Sequence, residues 1–147
     1  MKLLLDSQIL VAIAHNQSAS LPAIQAQLQS PTNQMFVSVA SLWEIAIKFR
    51  LGKLLLPRPP AALAVFFQAL GYRLIAIDHR HAVEDLRDQP ATRDPFDRLL
   101  LAQCQVESLL LVTTDRALAA HPLAWKAPQA TCVPTSRPSD SRARSAP

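Results

Sequence analysis

The sequence predicts an α/β fold, with helices on both faces of a central, mostly parallel sheet. Runs of three or four aliphatic residues without polar alternation recur along the chain, as in strands that are buried on both faces. Segments with apolar residues at helical spacing separate these runs. Since alternating strands and helices pair the strands in parallel through right-handed crossovers, the two observations indicate a sheet between helical layers.

The amino-terminal segment predicts one strand and a helical hairpin. Three leucines at residues 3–5 form a short buried run that ends at Asp6. Apolar residues at helical spacing follow it directly and predict the first helix. A second helix is expected to open at Ser20 as N-cap, with Pro22 in its first turn, and to run toward Gln29.

The next segment predicts a strand followed by an amphipathic helix. Residues 35–37 are a second short apolar run. Either Ser38 or Ser41 can cap the helix after it, which carries Trp43 in its early turns and ends near Gly52. The proline-rich stretch that follows can be neither helix nor central strand, so it is expected to be a stiff connector.

The second half of the chain predicts two further strands and the helices around them. A helix is expected at about residues 61–70 and a strand at 74–77, followed by a polar stretch. Asp94 and Pro95 predict the N-cap and first position of the next helix. Residues 109–112 are a strong buried strand, with polar residues and a short helix after it.

The last part of the chain divides in two. Residues 124–133 are expected to add an edge strand to the sheet. One domain is therefore predicted at residues 1–133. Residues 134–147 form a basic tail rich in Pro and Ser without apolar periodicity, and we expect them to be disordered.

Composition excludes several classes of site. The chain has 147 residues, 50% of them hydrophobic, which suffices for one folded core. Its two glycines cannot form the Gly-rich loops that hold nucleotides. At 5% of the chain, aromatic residues are too few for a base-stacking platform of the RRM or OB type. The net charge of +4 leaves phosphate contacts available.

Cysteine usage and hydropathy predict a reduced, cytoplasmic setting. Cys104 and Cys132 form no C-x-x-C motif, so neither a zinc site nor a disulfide framework is indicated. No apolar run approaches the length of a membrane span or a signal peptide, so no membrane association is expected. The four scattered histidines are expected at the surface or in supporting positions.

Four acidic residues stand out in this basic chain because they fall at strand ends or within otherwise apolar helical segments. They are Asp6, Glu44, Asp97 and Asp115. Carboxylates that converge at the carboxyl edge of a sheet repel one another and raise one another's pKa values. Mg²⁺ or Mn²⁺ bound through oxygen is the usual compensation, whereas zinc prefers His and Cys. Such a site is suited to phosphodiester hydrolysis.

Each acid also has a purely structural interpretation. For three of them, a helix cap would be a sufficient explanation: Asp6, Asp94 and Asp115. For the other two, an ion pair would be sufficient: Glu44 with Lys48, and Asp97 with Arg93, Arg98 or Lys48. The four acids are therefore weak evidence singly and stronger evidence together.

Five segments form a joint pattern through their order and spacing. The segments are Leu3-Leu4-Leu5-Asp6-Ser7, Val37-Ser38-Val39-Ala40-Ser41-Leu42-Trp43-Glu44-Ile45-Ala46-Ile47-Lys48, Leu51-Gly52-Lys53-Leu54, Arg93-Asp94-Pro95-Phe96-Asp97-Arg98-Leu99-Leu100-Leu101-Ala102-Gln103 and Leu111-Val112-Thr113-Thr114-Asp115. Together they resemble the PIN-domain ribonucleases, specifically the VapC-like toxins of bacterial toxin–antitoxin pairs. The resemblance covers the chain except its tail. It implies a three-layer α/β/α PIN fold, Mg²⁺- or Mn²⁺-dependent endoribonuclease activity on RNA, homodimers and inhibition by a cognate antitoxin.

The resemblance also assigns site residues. The family's catalytic and metal-binding acids fall on Asp6, Glu44, Asp97 and Asp115. Further candidates for supporting the acids or binding phosphate are Ser7, Thr113, Arg98 and Asp94. Gln8 departs from the family pattern, in which His or Asn often follows, and this affects the hydrogen bonds expected around the first acid.

Two other functions compete with the nuclease hypothesis. The same fold could serve as a catalytically weak module that binds RNA or an antitoxin. A phosphatase with Asp6 as nucleophile is disfavoured, because Asp6-Ser7-Gln8 lacks a second Asp two residues on for general acid catalysis. The motifs do not specify which RNA would be the substrate.

Overall fold

The computed structural model describes residues 1–128. In this part of the chain, four parallel strands form one sheet in the order β3-β2-β1-β4. The strands are β1 (Lys2–Leu5), β2 (Gln34–Ser38), β3 (Arg73–Ile75) and β4 (Leu110–Val112). In the register of the central strands, Leu4 is paired with Phe36 on one side and with Leu111 on the other. The predicted parallel sheet is confirmed.

Seven α-helices connect and flank these strands within the same residues. They are α1 (Ser7–Ala14), α2 (Pro22–Gln29), α3 (Val39–Arg50), α4 (Leu63–Ala69), α5 (His79–Val83), α6 (Pro95–Glu107) and α7 (Arg116–Ala119). Of the two predicted caps for α3, Ser38 is the one that accepts a hydrogen bond, from the backbone N–H of Ala40. Asp94 caps α6 as predicted, with Pro95 at the first helical position.

Two hydrophobic cores lie on opposite faces of the sheet, because successive side chains of a strand point to opposite sides. Leu3 and Leu5 of β1 belong to one core, which also contains the fully buried Phe67 of α4. Leu4 belongs to the other core, with Leu101 of α6. Helices on both faces of one sheet give the three layers of an α/β/α fold, as the sequence predicts.

Some local predictions are wrong. Ser20 is not the cap of α2: it lies in a 3-10 turn at Ser18–Ser20, and the helix begins at Pro22 without a side-chain cap. The polar stretch after β3 contains α5, which hydropathy misses because this short helix is mostly polar. For His81 and His121, which were expected either at the surface or in supporting positions, burial excludes only the surface placement.

The predicted edge strand lies only partly within the described residues. Ala124 makes one parallel bridge to Leu111 of β4, and residues 129–133 lie outside the description. Cys132 and the predicted tail at 134–147 also lie outside it. Among the helices of residues 1–128, none has the length and apolar composition required to cross a bilayer.

Candidate metal centre

Asp6 lies directly after β1, at the carboxyl edge of the sheet, and is only 4% exposed. Its Oδ1 accepts a hydrogen bond from the Ser7 backbone N–H at 2.6 Å, so it caps α1. Its Oδ2 accepts one from Thr113 Oγ1 at 2.7 Å. Burial raises the pKa of Asp6 and the charge of Glu44 adds to the rise, while the hydrogen bonds of Thr113 and Ser7 oppose it.

Glu44 projects inward from α3 and is 8% exposed. Its Oε1 accepts a hydrogen bond from Lys48 Nζ at 2.6 Å, one helical turn later. This bond is the main cause of a raised Lys48 pKa. The i, i+4 pair that the sequence allowed is therefore present, and it lies in electrostatic contact with Asp6.

Asp97 lies in the first turn of α6 and is half-buried. Thr92 Oγ1 donates a hydrogen bond to its Oδ2 at 3.0 Å. Burial, together with the negative charges of Asp94, Asp6 and Asp115, raises the pKa of Asp97 to about 6.

Asp115 and Asp94 both act as helix caps. Asp115 follows β4 and accepts hydrogen bonds from the backbone N–H groups of Ala117 and Leu118. The N–H of Asp115 itself donates to Thr113 Oγ1 at 3.0 Å, so one threonine contacts both Asp6 and Asp115. Asp94 is exposed and accepts from the N–H of Phe96, which is the capping role expected for it.

The four predicted acids share one electrostatic environment without forming a tight cage. Asp6 is coupled to Glu44, and Asp97 to both Asp6 and Asp115. Within residues 1–128, however, no three of these acids bring ligand atoms within 4.8 Å of one another. In the same residues, no Lys, Arg or His forms an ion pair with Asp6, Asp97 or Asp115. Uncompensated carboxylate oxygens of this kind fit a hard cation such as Mg²⁺ or Mn²⁺.

Comparisons with known proteins identify the family of this fold. The PIN domain family model matches residues 3–122. The chain belongs to the PIN domain family. This PIN domain is similar to Ribonuclease VapC16 of Mycobacterium tuberculosis (strain ATCC 25618 / H37Rv), with 40% identity over 58 residues. The matched segment is 39% of this chain and 41% of that relative, so it spans less than half of each protein.

A solved structure has the same fold. It is the crystal structure of VapBC2 from Rickettsia felis bound to a DNA fragment from their promoter. The match covers 84% of this PIN domain and 96% of the other chain, with a TM-score of 0.51 and 15% sequence identity. The family and the fold inferred from the sequence motifs are thereby confirmed.

The remaining predicted residues of this PIN domain have definite contacts. Ser7 is buried, with its Oγ 3.4 Å from Asp6 Oδ1. Arg98 donates to Gln89 Oε1 at 2.7 Å and, within the described residues, pairs with no carboxylate. Gln8 is exposed and its side chain makes no hydrogen bond to Asp6 in this part of the chain: its Oε1 accepts from Thr114.

A second polar cluster of the PIN domain was missed by sequence reasoning. Asp78, His81 and Glu107 are spaced closely enough to hold a metal ion. The Asp78 N–H donates to His81 Nδ1, so Nε2 carries the proton and donates to Glu107 Oε1 at 3.1 Å. Arg80 binds both carboxylates, at 2.8 and 2.7 Å. These donors and acceptors already satisfy one another without a metal ion. The cluster is therefore explained as a link between α5 and α6.

Thr92 and Trp43 are also absent from the sequence-based site. Thr92 bonds the Asp97 carboxylate and accepts from the Asp94 N–H. A threonine two residues before an Asp-Pro helix start is a usable local signal for this contact. Trp43 lies beside Glu44 with more than half of its surface exposed, and its ring contacts Phe96. No local pattern predicts that contact, because the two rings are on different helices.

Proposed function

We propose that this PIN domain is a Mg²⁺- or Mn²⁺-dependent endoribonuclease, the toxin of a toxin–antitoxin pair, active as a homodimer and inhibited by a cognate antitoxin. Membership of the PIN family supports a nuclease. The partial match to a protein named Ribonuclease VapC16 supports RNA as the substrate. The likeness to a chain of the VapBC2 assembly is in keeping with an antitoxin partner.

One observation carries the proposal: the buried Asp6 and the half-buried Asp97 and Asp115 are coupled electrostatically near the carboxyl edge of the sheet, and none of the three has an ion-pair partner within the described residues. The pKa of Asp6 is raised by burial, and that of Asp97 is raised to about 6. Neighbouring like charges contribute to both. Because unpaired buried charge destabilises a fold, its presence at the ligand-binding edge of a parallel sheet favours a functional origin.

The proposed roles follow from the placement of each side chain. Asp6, Glu44 and Asp97 would hold the cation, and Asp115 would complete or adjust the site. When bound, a divalent cation supplies Lewis acidity and lowers the pKa of water at the site. Thr113 holds the Asp6 carboxylate in place through its hydrogen bond.

Phosphate binding is the role proposed for two basic side chains, Arg98 and Lys48. Arg98 has no carboxylate partner within the described residues, and its guanidinium can bind a phosphate through two N–H groups. Lys48 remains 48% exposed while it neutralises Glu44, so its ammonium can also face the substrate. The net charge of +4 favours a polyanionic partner.

Cleavage of total RNA by the purified protein, freed of copurifying partners, tests the proposal. We expect discrete fragments in Mg²⁺ or Mn²⁺ and none in EDTA. Asp6→Asn, Glu44→Gln and Asp97→Asn should each lower the rate by at least about 100-fold, since each removes a carboxylate donor. Asp88→Asn is the matched control: Asp88 is exposed and its carboxylate makes no hydrogen bond within residues 1–128, so cleavage should be unchanged.

A catalytically weak module that binds RNA or antitoxin is the alternative. It is favoured by the separation of the acids, since no three of them bring ligand atoms within 4.8 Å in the described part of the chain. Folded, metal-loaded protein that binds RNA without cutting it would establish this alternative. Cutting that is equal with and without metal, or equal in the three acid variants and the Asp88→Asn control, would refute the four-acid site.

A further inference from the structure

Trp43 and Phe96 form an aromatic pair at the surface, between α3 and the first turn of α6. Their ring centroids are 5.4 Å apart and their planes meet at 69°. Phe96 packs against one of the two cores, whereas Trp43 is 57% exposed and belongs to neither core. An edge contact of this kind fixes the indole ring while leaving at least one of its faces uncovered by Phe96.

The pair adjoins the acids on both helices. Trp43 directly precedes Glu44, and Phe96 directly precedes Asp97. Adjacent Cα atoms are about 3.8 Å apart, so the helix positions that carry the two rings directly adjoin those that carry Glu44 and Asp97. Glu44 points inward and Trp43 outward, because consecutive residues of a helix differ by about 100° in direction.

Burial does not account for this tryptophan. A large aromatic side chain stabilises a protein mainly through the area it removes from water, and Trp43 leaves more than half of its surface in water. A fixed, exposed indole beside a group of carboxylates is suited to binding a planar group. Unpaired nucleobases are planar and stack on aromatic side chains in single-stranded RNA complexes.

We propose that Trp43 stacks on an unpaired nucleobase of single-stranded RNA and thereby positions the adjoining phosphate at the acids. This proposal rests on the proposed function, since it takes RNA as the substrate. Phe96 acts as a positioning residue that holds the indole through its edge contact. A single stacking position requires far fewer aromatic residues than the platforms that the composition excludes.

Tryptophan fluorescence measures the stacking directly. In a Trp125→Phe, Asp97→Asn variant, Trp43 is the sole tryptophan of the chain. The Asp97→Asn substitution removes one negative charge that would repel the RNA phosphates in the absence of metal. Titration with a short single-stranded RNA in EDTA should quench the Trp43 emission. A double-stranded RNA of the same sequence should quench it much less, because its bases are already stacked.

Affinity measurements with matched variants complete the test. Affinity is measured by the fluorescence anisotropy of a labelled RNA, with protein that retains both natural tryptophans as the reference. Trp43→Leu should weaken binding by about 5- to 100-fold, in line with the contribution of one stacked base. Trp43→Phe should retain affinity within about threefold of the original, because it keeps an aromatic face. Val83→Ala removes an exposed apolar side chain on α5 and should leave affinity unchanged.

The outcomes separate this proposal from the proposed function. Unchanged RNA affinity of Trp43→Leu, or no quenching, refutes stacking even if the acid variants abolish cleavage. Weaker binding accompanied by dissociation of a dimer in sedimentation also refutes it, because Trp43 would then contact a second copy. Quenching and weaker binding, together with a failure of the unsubstituted protein to cleave RNA in Mg²⁺ or Mn²⁺, would support stacking while refuting the nuclease.

Discussion

Asp97→Asn should stabilise the metal-free protein at neutral pH while lowering the cleavage rate by at least about 100-fold. In the folded chain, burial and the charges of three neighbouring aspartates raise the pKa of Asp97 to about 6, from an ordinary value of 3.8. The folded state therefore holds a proton at pH 5 that the unfolded state has lost. The stability that the retained proton on Asp97 contributes is fully present below about pH 4 and is lost as the pH rises through about 6.

The size of the effect follows from that pKa. A rise from 3.8 to about 6 corresponds to about 3 kcal/mol at pH 7. Asp97 is only half-buried, so solvent screening reduces the expected gain to about 1 kcal/mol. Asparagine keeps an acceptor for the Thr92 hydroxyl. It loses a negative charge that is favourable in the first turn of α6 by about 0.5 kcal/mol, and the expected gain of about 1 kcal/mol already includes this loss.

Urea denaturation in EDTA, followed by tryptophan fluorescence, measures this free energy. Asp97→Asn should unfold at higher urea than the original protein at pH 7.5, with the same m-value, and the gap should narrow toward pH 4.5. Asp88→Asn is the control and should show no such pH dependence. Adding Mg²⁺ should stabilise the original protein more than the variant. An Asp97→Asn variant that is less stable at pH 7.5, or a gap that widens on acidification, would refute the reasoning.

Three further predictions concern two sets of hydrogen bonds and one backbone conformation. Thr113→Val removes the hydrogen bonds to Asp6 and to the Asp115 N–H, so it should lower the free energy of unfolding by about 1–2 kcal/mol and raise the Asp6 pKa further. Thr113→Ser should behave like the original in urea denaturation. His81→Phe leaves the partners of the buried imidazole unsatisfied and should cost about 2 kcal/mol, and an unchanged melting temperature would contradict this. Gly71→Ala places a side chain at φ +85° and should cost about 1 kcal/mol, with Gly71→Asn costing less; equal costs would argue against backbone strain.

Helix starts and buried strands were predictable because their signals are local. The Asp94-Pro95 start of α6 satisfies the backbone through its own side chain and ring, so neighbouring residues suffice to identify it. The failure at Ser20 has the same origin, since a serine two residues before a proline fits a cap pattern whether or not the chain enters a 3-10 turn first. The short helix α5 is polar and is held by contacts to α6, which its own sequence does not contain.

The acids were identifiable as candidates because they interrupt apolar segments, but their chemical states were not. Sequence spacing cannot show that Glu44 is paired with Lys48 while Asp97 has no cationic partner in the described residues. Sequence spacing also cannot give the distances between the carboxylate oxygens of the four acids, because these distances depend on how α3 and α6 pack on the sheet.

The sequence by itself determined the layered α/β/α architecture, the family and the positions of the acids, because strand runs, caps and motif spacing are properties of neighbouring residues. Only the tertiary structure decided what surrounds those acids and how burial and neighbouring charges raise the pKa values of Asp6 and Asp97. Thr113 reaches Asp6 across 107 positions of sequence, and Trp43 meets Phe96 from another helix. Burial and charge proximity are sums over residues that are distant in the chain, so they exist only after the chain has folded.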